Sequence, residues 1–193
     1  MTRKQSNSGD KGSKQKASDE LLWLETFFIV FPHKRRPTLS QVERALTGAD
    51  PRLQLANLSA DDDGLFESVL VQSPEDNAAV EISYEASESV IEQNLEWAKQ
   101  LQDQLAPKQL QQLVAADARL DVAHFERVQA TAASGDRETA EQDYPADDFG
   151  NEDDFDEEAA MESFDPTCLL TVVEALSSLT KGLTFDPASG EVV

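Results

Sequence analysis

Apolar against polar positions give a first run, Trp23 to Phe31, that is aromatic and β-branched with little polar alternation after Thr26. That is the pattern of a strand covered on both faces, and it predicts a central strand. Pro32 and Pro37 bracket a turn. Thr38 with Gln41 has capping-box spacing ahead of Leu39, Val42, Ala45 and Leu46, and Gly48 lies where a helix would stop. Period-two alternation then recurs around Leu53 and Leu55, around Val69 and Val71, and at Val80, Ile82 and Tyr84, separated by the turn-forming clusters Asp61 to Gly64 and Ser73 to Asn77. Such short connections favour an antiparallel meander.

The longest helical stripe follows: Val90, Ile91, Asn94, Leu95, Trp97, Ala98, Leu101 and Leu105 share one face, with Ser87 or Ser89 as cap. Pro107 ends or restarts this helix, and Leu110 and Leu113 belong to a short second one. Leu120, Val122 and His124 alternate as a fifth strand. Beyond an acidic stretch, Asp165-Pro166 is a helix-start pair, Leu169, Val172, Val173, Leu176 and Leu179 form the stripe, and Gly182 supplies the stop. Leu183 to Phe185 and Val192 to Val193 predict a last strand or small hairpin.

Helices interleaved with a meander predict an α+β fold: a mixed, mostly antiparallel sheet of about five to six strands with helices on one face, of the ferredoxin-like or split βαβ kind.

Charge divides the chain further. The 193 residues hold 38 Asp and Glu against 16 Lys and Arg, a net charge of -22. Residues 1–18 carry five bases and one acid, +4; residues 131–163 carry thirteen acids and Arg137, -12; the other 142 residues carry 24 acids and ten bases, -14. Neither the tail 1–18 nor the segment 131–163 has the apolar content to offset the entropy of ordering, so both are expected to be disordered. Residues 19–130 and 164–193 then form a single α+β domain, which at this size buries roughly two-thirds of its unfolded surface without needing a metal or disulfide.

The acidic balance argues against a generally basic nucleic-acid binder. The tail could touch phosphates, but the body opposes their approach, so nucleic acid is not the expected partner. Phe27 to Phe31 is far shorter than the roughly 20 apolar residues of a spanning helix. Asp19, Glu20 and Glu25 interrupt any secretory pattern at the start. With the single Cys168 ruling out an internal disulfide, a cytoplasmic protein without membrane association is expected. No glycine-rich phosphate cradle is present, and no cofactor is expected.

Three groups of residues could carry function. His33, Lys34, Arg35 and Arg36 lie in a strand-to-helix loop and are the candidate anion site. Tyr144, Phe149 and Phe155 are interleaved with carboxylates in a segment where Asp-Asp-Phe occurs twice; they could dock in a protein partner with a basic or apolar groove. Cys168 in a first helical turn, with His124, is the material for a nucleophile and base, although each also reads as a core residue. Asp61, Asp62, Asp63 and Gly64 fail the calcium-loop spacing, since Ser59 and Leu70 stand where ligands belong, and read as a hairpin turn. The chain is expected to be a protein-interaction module presenting an acidic, aromatic-dotted loop. The alternative is a small enzyme or ligand-binding domain using the 33–36 loop.

Overall fold

The computed structural model describes residues 20–128 and 166–192; the basic tail, the acidic segment 131–163 and Asp165 lie outside them. Six strands form one sheet in the order β2-β3-β4-β5-β1-β6, and every pairing is antiparallel. The strands are β1 (Glu20–Phe31), β2 (Gln54–Ala60), β3 (Phe66–Ser73), β4 (Ala78–Glu85), β5 (Ala118–Val128) and β6 (Leu183–Phe185). Among the described residues four α-helices accompany them: α1 (Leu39–Ala49), α2 (Glu88–Gln100), α3 (Pro107–Ala115) and α4 (Thr167–Thr180). The α+β class and the strand count agree with the sequence reading, and β1 lies inside the sheet between β5 and β6.

One finer expectation is corrected. Helices cover both faces of the sheet, not one. Phe27, Ile29 and Phe31 of β1 pack with Val42 and Leu46 of α1 and with Leu169, Val172 and Leu176 of α4. The intervening Phe28 and Val30 pack with Trp97 and Ala98 of α2, Leu113 of α3, and Leu183 and Phe185 of β6. A strand apolar on both faces needs cover on both, because each large buried side chain contributes roughly 1.5–3 kcal/mol only when removed from water. β1 and β2, joined through α1, run in the same direction, with β3, β4 and β5 between them where a split βαβ unit has a single strand. Between β4 and β5, α2 and α3 pack on each other as a helical hairpin, and a hairpin returns the chain to the sheet end it left, so the two strands are antiparallel. A single crossover helix would have carried it to the other end and made the pair parallel.

On the second face Phe28, Trp97 and Phe185 form an aromatic cluster with ring centroids 4.7–5.8 Å apart. Arg119 of β5 lies 4.3 Å over the Phe28 ring and pairs with Glu85 and Asp121 at 2.6 Å, with a further bond to Gln93 of α2. The stripe of α2 is narrower than its sequence pattern. Val90, Asn94 and Ala98 are buried, whereas Ile91 and Leu95 are each 40% exposed. Buried Asn94 donates to the Ala116 carbonyl at 3.0 Å, tying α2 to the start of β5.

Candidate functional site

Pro32 and Pro37 do bracket a turn: residues His33–Arg35 form one turn of 3₁₀ helix, with the Arg35 and Arg36 amides donating to the Pro32 and His33 carbonyls. Four consecutive polar residues are thereby aimed in different directions, and the candidate anion site divides in two.

His33 and Arg36 are engaged by the protein itself. Asp117, just ahead of β5, accepts from the His33 amide at 2.6 Å and meets the ring Nδ1 at 2.5 Å. Burial alone would raise the Asp117 carboxyl; the bonds from His33 outweigh it and hold the group below the ordinary carboxylate range. Arg36 donates to the Phe66 carbonyl and to Asp61, both at 2.9 Å, and lies 4.1 Å over the Tyr84 ring. Asp61 in turn accepts from the Asp63 and Leu65 amides at the β2–β3 turn, where Gly64 has φ 75°. The expected hairpin reading of residues 61–64 holds, and Arg36 fastens that hairpin to the 33–36 turn.

Lys34 and Arg35 face outward and meet two cations distant in sequence. Arg35 donates to the carbonyl of Lys181, the left-handed residue that closes α4 at φ 55°. Arg35 and Lys181 line both of two adjoining clefts. One, of about 340 Å³, is completed by Lys34, Arg36, Gln41 and the end of α4; the other, of about 310 Å³, by Lys108, Gln111 and Gln112 of α3 with Val30 and Pro32. No carboxylate lines either cleft. The carbonyl end of α4 disfavours an anion, but Arg35 occupies one of those carbonyls and Lys108 stands in the first turn of α3, where the dipole favours negative charge. The result is a shallow basic corner of four outward cations on an acidic body.

Sequence reasoning missed Lys108 and Lys181. Neither spacing nor composition could find them, because Arg35 and Lys181 are separated by 146 positions.

Other candidates stand apart from this corner. Tyr144, Phe149 and Phe155 lie outside the described residues. Cys168 is buried at the N-terminal end of α4, thirteen residues or roughly 20 Å along the helix from Lys181. His124 is buried on β5 with Nδ1 3.6 Å from Glu25, about 20 Å along the strand from the Ala118 end beside the 33–36 turn. Cys168, His124 and the basic loop therefore do not share a pocket. A cleft of about 630 Å³ between α1 and α4 is lined by Ala45, Ala49, Ala175, Ser178 and Leu179, with Glu174 the charged group among its lining residues. It offers no convergent polar set. Among the described residues no group of His, Cys, Asp or Glu could hold a metal ion, and no helix is long and apolar enough to cross a membrane.

Comparison with protein-family models, with curated proteins and with solved structures finds no match to this chain.

Proposed function

We propose that this chain is a non-enzymatic interaction module whose basic corner takes an extended, carboxylate-rich polypeptide segment. One observation carries the reading: Lys34, Arg35, Lys108 and Lys181 surround two joined clefts with no acid among their linings, in a chain of net charge -22. Gathering four of the body's ten bases works against random placement and creates a local field opposite to that of the whole protein. The clefts are open and shallow, without a ring of buried amides, which suits an extended polyanion better than an enclosed phosphate.

The segment 131–163 forms the other half of the proposal. Its thirteen acids and the aromatics Tyr144, Phe149 and Phe155 have the composition of such a ligand, while the partner its sequence implies has a basic groove. One chain thus offers both a receptor surface and a ligand of complementary charge, and an outside acidic partner would compete with contacts within or between copies.

A labelled peptide with the sequence of residues 147–158, titrated into the full chain and followed by anisotropy, tests this. Exposed ion pairs are each worth up to about 1 kcal/mol, so the combined change Lys34→Glu, Lys108→Glu and Lys181→Glu should weaken binding by at least about tenfold. Equal affinity for both proteins would refute the reading. Full competition by millimolar inorganic phosphate would favour the small-anion alternative.

A further inference from the structure

At the opposite end of β1 the sheet has an open edge among the described residues. Toward β5, β1 is paired from Glu20 to Phe31, whereas toward β6 only Phe28, Ile29 and Val30 are paired. The backbone from Leu21 to Phe27 therefore has no strand beside it on that side among the described residues. The cause is local. Pro187 follows β6 by two residues, and Asp186 accepts from the Ala188 and Ser189 amides, turning the chain back so that Val192 bridges Phe185. The turn thus leaves the line that a longer β6 would have followed.

The side chains along this edge are apolar and exposed: Leu21 at 43%, Leu22 at 53% and Trp23 at 59%. A bulge arranges them. Trp23 pairs with Phe125 and Glu25 with His124, so Leu24 is an extra residue in β1. It reverses the alternation, placing Trp23 on the face of Thr26, whose Oγ1 accepts from the indole at 3.1 Å. Trp23, Leu24, Glu25 and Thr26 then form one wall of a cleft of about 370 Å³, whose other wall is Asp186 to Ala188. The charged groups in this lining, Glu25 and Asp186, are both acids, and Glu126 stands opposite Leu22 on β5. The far edge of the sheet is less suited to pairing. Two register shifts interrupt β2, and Asn57 there has φ 52°.

We propose that the free edge of β1 between Leu21 and Phe27 is a docking site for an extended segment of another protein that alternates apolar and basic residues, added as a strand in line with β6. Unpaired backbone groups supply the main-chain bonds, Trp23 and Leu24 take the apolar side chains, and Glu25, Asp186 and Glu126 select Lys or Arg. Charge excludes the nearer occupants. A second copy would bring the same acids against themselves, and so would the chain's own segment 131–163. The tail 1–18 is basic but lacks strand-forming residues. This site lies about ten residues, or roughly 33 Å, along β1 from the basic corner and does not depend on it.

The test uses the full chain and a capped peptide of alternating Lys and Val, read by amide hydrogen exchange. Binding should slow exchange in residues 21–27 and leave β2 and β3 unchanged. Trp23→Ala removes an exposed side chain together with its bond to Thr26 and should weaken binding about tenfold, the loss of one aromatic anchor. A peptide with Glu for Lys should not bind at tenfold higher concentration, and N-methylation of alternate peptide amides should abolish protection. Three results would overturn the proposal: equal binding by the Glu peptide, protection that survives N-methylation, or protection of residues 21–27 that rises with protein concentration alone. The last would make a second copy the occupant.

Discussion

Gly182 follows a helix that ends on a lysine, and its role differs from the one its position implies. A glycine after a helix ordinarily supplies the left-handed residue, yet Lys181 takes that conformation, at φ 55°. Gly182 is required by proximity: a Cβ there would lie 2.6 Å from Ile29 Cγ2 and 3.0 Å from the Val30 carbonyl oxygen. The same spot holds the Thr180 hydroxyl, which donates to the Leu176 carbonyl and accepts from the Gly182 amide. Gly182→Ala should therefore lower stability by about 1–3 kcal/mol through overpacking against β1. Denaturant unfolding would measure this, and an unchanged midpoint would mean that Ile29 can move aside. The division of the basic loop is likewise a residue-scale fact. Arg35 and Arg36 are neighbours of identical chemistry, and the folded position of Asp61 and Tyr84 separates the half-buried one from the outward one.

Elements whose cause is local were legible in the sequence. The Thr38–Gln41 capping box forms reciprocally, with the Gln41 amide donating to the Thr38 hydroxyl and the Thr38 amide to the Gln41 side chain. The meander follows its turn residues, and β1 is apolar on both faces as its pattern requires. What that pattern already demanded, a helical layer on each face, needed only the inference that two apolar faces require two covers. The Leu24 bulge had no sequence signal, because it is set by the register between β1 and β5. Beside that bulge the two strands share a titratable contact. Burial is the largest influence on His124 and lowers its pKa below the ordinary 6.5; Glu25 and Glu126 pull upward without prevailing. Below pH 6.5 the unfolded chain binds this proton more readily than the folded one, so stability rises with pH. The contribution is complete above 6.5 and is lost as pH falls through the folded value. Thermal melts between about pH 7.5 and 5.5 should show a falling midpoint, and His124→Gln should flatten that slope. Asp50, Asp117 and Asp186, all lowered from 3.8, act below this window. A slope unchanged by His124→Gln would assign it to other groups.

Over the whole molecule, two kinds of electrostatics compete. Ion pairs such as Arg36 with Asp61, Arg52 with Asp50 and Glu75, and Arg119 with Glu85 and Asp121 weaken when salt screens them. Exposed pairs of this kind contribute little, and Arg119, only 8% exposed, is the least accessible to salt. Against them stands the excess of fourteen acids in the 142 residues outside the tail and the acidic segment. Compaction brings those carboxylates closer together, whereas the unfolded chain lets them separate, so the net charge destabilises the fold. Raising ionic strength from about 0.01 M to 0.3 M shortens the screening length from roughly 30 Å to under 10 Å, which removes most of the repulsion between charges spread over the surface. The unfolding temperature should therefore rise with sodium chloride over this range, while the peptide binding proposed for the basic corner should weaken. The two trends have opposite signs because one removes repulsion among like charges and the other removes attraction between unlike ones. A midpoint that falls as salt is added would show that specific pairs, with Arg119 first among them, outweigh the acidic excess.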